Sequence, residues 1–196
     1  GFYTGDGSII NITRTRKKLT ENVAAGLSFS LDDKWPTVNA NLVVKASAVA
    51  GYDCKIYPAS DGKKSQVLTM HRPDFSTDAQ FLIGTGSGEK LLSEEIFKLC
   101  REDRLAFLAG WVDSDGCVDF IHRTGTVRIS SVNRSLVEQC KRLVAGLGFN
   151  ASVVESTNSG GFESSAEKTY DVSSGRDLWN ALANYSAKIN GQTTDT

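Results

Sequence analysis

The sequence predicts an α+β protein built from two pseudo-symmetric repeats, each with the element order α-β-β-α-β-β-α. A short motif ending in Asp-Gly occurs twice, at residues 1–7 and 110–116, which are 109 positions apart. A second pair of similar segments begins at Gly51 and at Gly148, 97 positions apart. In both copies the motif is followed by segments in which apolar and polar residues alternate, and this pattern is typical of strands.

The second copy begins with a helix over residues 101–112, where Leu105, Leu108 and Val112 recur at helical spacing. The Asp115-Gly116 pair is a typical end for such a helix, and Asn133 is a typical N-cap for the next one. The remaining expected elements are strands at 117–123 and 127–132 joined by Thr124-Gly125, a helix at 135–147, strands at 152–156 and 169–173, and a last helix at 176–189.

The first copy follows the same order, and the difference between the two offsets places roughly 12 extra residues around the basic run Arg14-Thr-Arg16-Lys17-Lys18. The Gly-rich stretch at 84–88 lacks the residues of a phosphate-binding loop, so we expect a flexible linker there. The predicted organisation is a first repeat at 1–75, a connector with short helices at 76–100, a second repeat at 101–190 and a frayed tail at 191–196.

Composition restricts the function without defining it. The chain has 196 residues, and the 40% of them that are apolar exclude bulk disorder. Its net charge of −1 argues weakly against a dedicated nucleic-acid binder, because such proteins are usually basic. The charge is uneven, because residues 1–75 carry +3 and the rest carries −4. No apolar run is long enough for a membrane span and no secretory signal is visible.

The cysteines and tryptophans are interpreted as structural residues. Four scattered cysteines without metal-ligand spacing indicate reduced core thiols of an intracellular protein rather than disulfides or zinc ligands. The tryptophans are expected in the core or at an interface. The cysteines are Cys54, Cys100, Cys117 and Cys140, and the tryptophans are Trp35, Trp111 and Trp179.

The segment Phe107-Leu-Ala-Gly-Trp-Val-Asp-Ser-Asp-Gly116 closely resembles the signature of LAGLIDADG homing endonucleases, and residues 1–7 resemble the end of that signature. Together with the element order, the resemblance covers nearly the whole chain. It implies a monomeric, site-specific endonuclease that hydrolyses both strands of a long double-stranded DNA target. Intein endonuclease domains are the most similar type, and an associated splicing domain would then accompany the chain.

The residues of the motif give a physical reason for metal-dependent hydrolysis. Small residues on one helix face allow two helices to approach closely, and their ends would then bring Asp6 and Asp115 together. Thr4 stands opposite Asp113, so the symmetric pair is Asp6 and Asp115. Two adjacent carboxylates repel each other, and a divalent cation relieves that repulsion. Mg²⁺ is expected, with Mn²⁺ as a substitute and Ca²⁺ as a non-productive ligand; the alternative is that both acids are ordinary turn residues.

The resemblance also implies a basic residue near the scissile phosphate in each half. The matching positions are Lys64, or its neighbour Lys63, and Lys168; solvated lysines at hairpin edges are the alternative. Each half of such an enzyme offers an antiparallel saddle to the major groove, unless the basic hairpin is merely solvated. The expected base-reading residues are Asn11, Thr13, Arg14, Arg16, Arg123, Arg128 and Ser130, whereas Lys17 and Lys18 are expected to contact phosphates.

Two other functions stay open at this stage. The scaffold could bind DNA or fold intron RNA as a maturase without cutting, or it could be an inert remnant inside a host protein. Retention of both Asp6 and Asp115 favours the nuclease, because a pure binder does not need a repulsive acidic pair. The chain starts at Gly1, inside the first motif, so we expect its preceding helical residues to lie in an upstream segment such as a splicing domain, or to be truncated.

Overall fold

Two four-stranded antiparallel sheets with the same strand order form the framework of the computed structural model, and this confirms the predicted α+β fold of two repeats. The first sheet contains β1 (Gly7–Arg16), β2 (Leu19–Asp32), β3 (Ile56–Pro58) and β4 (Ser65–Met70) in the order β1-β2-β4-β3. The second contains β5 (Gly116–Ile121), β6 (Thr124–Ser131), β7 (Ser152–Asn158) and β8 (Glu167–Ser174) in the order β5-β6-β8-β7.

The structure describes residues 2–16, 19–58, 65–86, 88–121, 124–158 and 167–193. Within these ranges, side chains are described except at 11–16, 19–24, 65, 121, 124, 157–158, 167 and 192–193. The helices are α1 (Phe2–Asp6), α2 (Pro36–Ala50), α3 (Pro73–Ile83), α4 (Glu94–Lys98), α5 (Arg101–Asp115), α6 (Arg134–Gly146), α7 (Arg176–Leu182) and α8 (Ala187–Thr193). No helix among the described residues has the length and apolar character needed to cross a membrane.

The chain divides into two compact units. One consists of Gly1–Gly5 together with Leu82–Thr196, and the other is Asp6–Phe81. The residues of the first motif copy up to Gly5 therefore belong to the same unit as the second repeat. The first sheet lies wholly in the Asp6–Phe81 unit.

The first hairpin carries the insertion that the offsets indicated. Strands β1 and β2 have 10 and 14 residues, whereas the corresponding β5 and β6 have 6 and 8. The two longer strands pair antiparallel from Gly7↔Phe29 to Arg16↔Leu19, with a register shift between Ile10 and Asn11. Lys17 and Lys18 lie outside the described residues.

The core of the larger unit forms where α5 and α6 cover the second sheet. The predicted helical stripe of α5 is buried, and Leu108, Ala109 and Val112 are fully inaccessible to solvent. Val127 and Ile129 alternate inward from β6, and they leave Arg128 on the opposite face. Helix α6 begins, as predicted, after an N-cap in which Asn133 Oδ1 accepts a hydrogen bond from the Leu136 amide at 3.2 Å.

The predicted single helix at 176–189 is wrong, since the chain breaks into α7 and α8. The break is stabilised by a residue distant in sequence, because the buried carboxylate of Asp113 accepts hydrogen bonds from the backbone of Ala187 and Lys188. A continuous helix would direct those two amides to carbonyls of its own preceding turn. The tail expected from residue 191 is also shorter, since α8 continues to Thr193.

Other corrections are local. Strand β6 begins at Thr124, so Thr124-Gly125 is part of the strand and not the turn. All four cysteines are free, and Cys54 and Cys140 are buried as expected, but Cys100 is exposed. Its Sγ accepts a hydrogen bond from the Asp103 amide at the start of α5, a position at a helix end where solvent has access. Trp111 and Trp179 are core residues as predicted.

Candidate active site at the ends of the motif helices

The end of the first motif copy packs directly against the end of the second. A Cβ atom built on Gly5 would overlap Ser114 Oγ and would lie 2.9 Å from both Cγ and Oδ2 of Asp115. Only a glycine permits this approach without displacing the Asp115 carboxylate. The small residue of the motif therefore sets the distance between the two helix ends, as the sequence predicted.

Gly116 is required for a different reason from the one that the sequence suggested. Its φ of −73° is accessible to any residue, so it is not a left-handed helix terminator. A Cβ at Gly116 would instead lie 2.5 Å from Cα of Val112 and 2.6 Å from its carbonyl oxygen. The glycine allows the chain to turn tightly from α5 into β5, immediately after Asp115.

Asp115 is exposed at the end of α5 and lines a cavity of about 140 Å³. Three hydroxyl-bearing residues, Thr4, Ser130 and Ser131, also line it, and apolar side chains complete the wall. The Thr4 side chain is 3% exposed and its hydroxyl has no hydrogen-bond partner among the described residues. The cavity thus places an acidic side chain beside several oxygen atoms in a site that solvent can reach.

Lys90 closes the end of the first motif helix. It is only 3% exposed, and its Nζ donates hydrogen bonds to the carbonyl oxygens of Tyr3, Thr4 and Gly5 at 2.8, 3.1 and 3.0 Å. The ammonium also lies 4.9 Å from the centroid of the Tyr3 ring. A cation at this position is favoured because the last carbonyls of a helix have no partners within the helix and carry partial negative charge.

The loop that carries Lys90 is ordered by hydrogen bonds and is not a plain linker. Gly84 and Gly86 adopt φ values of 86° and 76°, which glycine tolerates and other residues rarely adopt. Within this segment, the Lys90 amide donates to the Gly86 carbonyl. From α6, the side-chain amide of Asn133 donates to the carbonyls of Gly88 and Lys90 at 3.0 and 2.9 Å.

Lys188 is the counterpart of Lys90 at the end of α5. It is 4% exposed, and its Nζ donates to the carbonyl oxygens of Ser114 and Gly116 at 2.8 and 2.9 Å. These carbonyls belong to the residues immediately before and after Asp115. Each copy of the motif therefore ends against a buried lysine.

The sequence did not predict that these two lysines would be buried at the motif ends, although a signal that pairs them was present. Lys90 and Lys188 are 98 positions apart, almost the same as the 97 positions that separate Gly51 and Gly148. The repeat register alone could have paired them. Their burial gives no sign in the sequence, because lysine is ordinarily a surface residue.

The residues predicted to be catalytic lie in different parts of the chain, and not all of them are described. Asp115 lies at the motif interface described above, and Asp6 directly follows Gly5 as the last residue of α1. Lys64 and Lys63 lie outside the described residues. Lys168 is an exposed residue of β8 whose Nζ forms an ion pair with Glu155 at 2.7 Å, and this contact raises the pKa of Lys168. Its role stays a prediction.

The predicted DNA-contacting residues lie on strands, as far as they are described. Arg128 and Ser130 occupy β6 on the face opposite its buried residues, and their partners in register are Ser173 and Asp171 of β8. A hydrogen bond to Cys117 raises the pKa of Arg128. Asn11, Thr13, Arg14 and Arg16 lie on β1, where only the backbone is described, and Lys17, Lys18 and Arg123 lie outside the described residues.

The oxygen donors at the motif interface fit a hard divalent cation. A carboxylate and hydroxyl groups offer the oxygen ligands that Mg²⁺, Mn²⁺ and Ca²⁺ prefer, and Mg²⁺ commonly uses only one or two carboxylates together with substrate phosphate and water. Within the described parts of the chain, no group of three or more His, Cys, Asp or Glu side chains forms a metal cage. A site completed by substrate therefore matches these residues better than a closed protein site.

Comparison with known proteins identifies the fold. Residues 102–185 match the model of a LAGLIDADG-like domain, and no curated protein matches the sequence. The homing endonuclease I-DmoI in complex with DNA and Mn aligns with a TM-score of 0.59 and 16% identity, over 95% of this chain and 92% of that chain. I-DmoI complexes with DNA and Mg or Ca also match.

Two further solved structures share this architecture. The meganuclease I-SmaMI bound to uncleavable DNA aligns with a TM-score of 0.51 and 14% identity, over 97% of this chain and 83% of that chain. The LAGLIDADG homing endonuclease I-GzeII in complex with its DNA target gives 0.51 and 12%, over 97% and 84%. Residues 102–185 thus resemble a LAGLIDADG-like domain, and the chain has the fold of two-repeat, single-chain LAGLIDADG homing endonucleases.

Proposed function

We propose that the protein is a site-specific double-strand DNA endonuclease, in which Asp6 and Asp115 hold a divalent metal and each half cuts one strand. The observation that carries this proposal is the arrangement at the end of α5. There, exposed Asp115 borders an oxygen-lined cavity, and the carbonyls on either side of it bind the buried ammonium of Lys188. The Asp115 carboxylate suits the binding of a metal ion, and the Lys188 ammonium beside it suits the stabilisation of a phosphate.

The side chains divide the chemistry between them. A divalent cation, when bound, supplies charge neutralisation at the scissile phosphate. The carboxylates of Asp115 and Asp6 bind it, and the Gly5 contact fixes the Asp115 side chain. We assign the cationic role to Lys90 and Lys188, because a preorganised ammonium of low solvent exposure stabilises developing negative charge more strongly than a solvated one. Lys64 and Lys168 remain the alternatives from the sequence.

DNA binding is assigned to the outer faces of the two sheets. Arg128 and Ser130 would read bases from β6, and the β1 residues named above would do so from the longer first hairpin. Lys17 and Lys18, which follow β1 in the sequence, would contact phosphates. The net positive charge of residues 1–75 supports this assignment, because phosphate contacts need local rather than overall positive charge.

Cleavage of a library of long random duplexes with Mg²⁺ tests the function. We expect the wild-type protein to cut both strands at one site, and Asp6→Asn or Asp115→Asn to abolish double-strand cleavage while binding in Ca²⁺ persists. Asp177→Asn, which removes an exposed carboxylate from α7, is the matched control and should cut normally.

The outcomes separate the remaining possibilities. Binding without cutting would assign a DNA-binding module or maturase instead of a nuclease. A lack of affinity for DNA at low salt would leave only an inert remnant.

Two further experiments test the expected state and origin of the protein. Light scattering tests whether it is a monomer. Expression of the complete reading frame tests whether the protein comes from an intein, a proposal that rests on the motif resemblance alone. The free thiols favour an intracellular location.

A further inference from the structure

Helices α5 and α8 stabilise each other through reciprocal contacts. Asp113 of α5 is 7% exposed and accepts hydrogen bonds from the Ser186 hydroxyl and from the Ala187 and Lys188 amides at 2.6, 3.0 and 3.1 Å. In return, the Lys188 side chain from α8 donates to the carbonyls of Ser114 and Gly116 at the end of α5. Asp113 thus fixes the backbone of the residue whose ammonium lies beside Asp115.

We propose that Asp113 is a positioning residue that holds the Lys188 ammonium next to Asp115. This inference rests on the proposed function, in which the Lys188 ammonium stabilises negative charge that develops at the scissile phosphate. Asp113 itself is buried and bonded to α8, so it is not a second metal ligand. Its role is to start α8 at the residue that directs Lys188 back toward the end of α5.

The contacts explain why this position favours a carboxylate. Each of the two oxygens accepts at least one hydrogen bond, and all three donors come from consecutive residues at the start of α8. An asparagine would retain one acceptor and would direct an NH₂ group at a backbone N–H or at the Ser186 hydroxyl. Leaving a buried donor unpaired costs about 1–3 kcal/mol, so the start of α8 would shift or fray.

The first motif copy has no described carboxylate contact of this kind to the backbone of its lysine. Thr4 stands where the second copy has Asp113, and its hydroxyl has no hydrogen-bond partner within the described residues. Lys90 is carried by a glycine-rich loop, and Asn133, not the motif helix, fixes the backbone of Lys90. Asp113 therefore positions Lys188 and not Lys90. Its substitution should slow the cleavage of one DNA strand more than that of the other.

Chemical labelling of the lysines tests the contact without any DNA. After brief treatment with an acetylating N-hydroxysuccinimide ester, mass spectrometry measures how much of Lys188 and of Lys90 has reacted. We expect Asp113→Asn to raise the labelling of Lys188 several-fold and to leave that of Lys90 unchanged. Ser186→Ala removes one of the three hydrogen bonds to Asp113, together with the bond that the Ser186 hydroxyl accepts from the Ile189 amide. Both backbone amides stay bonded to Asp113, so this variant should give a smaller change in the same direction and serves if Asp113→Asn does not fold.

Strand-specific cleavage tests the consequence. With each DNA strand labelled separately, Asp113→Asn should slow the cutting of one strand at least about tenfold and leave the other within about twofold, so nicked DNA accumulates. Equal labelling of both lysines, no rise at Lys188, or equal slowing of both strands would overturn the inference. If the wild-type protein cuts no DNA, the proposed function fails, whereas the labelling result still decides whether Asp113 positions Lys188.

Discussion

The side-chain amide of Asn133 donates a hydrogen bond to the carbonyl oxygen of Lys90 at 2.9 Å, and its own oxygen caps helix α6. One residue therefore performs two tasks, because it begins a helix and fixes the backbone of a buried lysine. The two tasks use different atoms of the same amide. A substitution that preserves the acceptor and removes the donors can separate them.

Asn133→Asp is this substitution. Aspartate is an equally good N-cap, so α6 should persist, but a carboxylate cannot donate to the Gly88 and Lys90 carbonyls and would repel them. We expect a loss of about 1–3 kcal/mol in the free energy of unfolding, measured with urea, and faster acetylation of Lys90. Asn133→Ala, which removes the cap as well, should be less stable still. Unchanged labelling of Lys90 in Asn133→Asp would show that other contacts hold the loop.

Gly5→Ala should impair the site through crowding. The added methyl group would overlap Ser114 Oγ and press on the Asp115 carboxylate, and overpacking of this kind costs about 1–3 kcal/mol. We expect a lower melting temperature and a loss of cleavage in Mg²⁺. Gly175→Ala is the control, because a Cβ at Gly175 meets no atom within 4 Å. If both variants behave like wild type, the close approach of the motif helices is not required.

Lysine substitutions distinguish the sequence-based assignment from the structural one. Lys188→Met and Lys90→Met remove buried cations, and each should lower single-turnover cleavage about 100-fold. Lys168→Ala removes an exposed ion pair with Glu155, which should leave cleavage within about twofold and stability nearly unchanged. Binding in Ca²⁺, measured in parallel, separates lost chemistry from lost affinity. If Lys168→Ala greatly slows cleavage without weakening binding, the sequence-based assignment of Lys168 as a catalytic residue would be favoured.

The sequence predicted what depends on local pattern and on repetition. The repeated Asp-Gly motif and the alternation after it gave two sheets of the same order, and the cap at Asn133 was found because it depends on residues adjacent in sequence. The break before α8 was not predicted, since Leu178, Leu182, Tyr185 and Ile189 continue one helical stripe across it. Asp113, more than 70 positions earlier, stabilises that break.

The same distinction applies to the candidate site. Asp115 could be predicted because its motif is contiguous, whereas the buried contacts of Lys90 and Lys188 could not, because their partners are carbonyl groups, which every residue has. A backbone carbonyl that accepts a hydrogen bond from a lysine cannot be recognised from the pattern of side chains in the sequence. Long-range burial of this kind is decided by tertiary packing and not by local sequence.

Acid should weaken the contact between α4 and α6. Glu94 of α4 pairs with Arg142 of α6 through two hydrogen bonds of 2.6 and 3.0 Å, which lower the pKa of Glu94 below its ordinary value of 4.5. A lowered folded-state pKa stabilises the protein above 4.5, and that stabilisation is lost as pH falls through the folded value. Glu94→Gln should therefore melt at a lower temperature than wild type at neutral pH, with the difference disappearing in acid. A difference that is independent of pH would indicate that packing, not charge, is responsible.

Thr4 provides the opposite test, in which removing a polar group should cost nothing. Its buried hydroxyl has no hydrogen-bond partner in the described part of the chain, and it borders the cavity beside Asp115. Thr4→Val replaces that hydroxyl with a methyl group of similar size, so no hydrogen bond is lost and a buried polar group is removed. Chemical denaturation should give an unfolding free energy equal to or above that of wild type, in contrast to Asp113→Asn at the equivalent position. A decrease of more than about 1 kcal/mol would mean that the hydroxyl is paired with water in the cavity, and the two motif copies would then both depend on a polar group at this position.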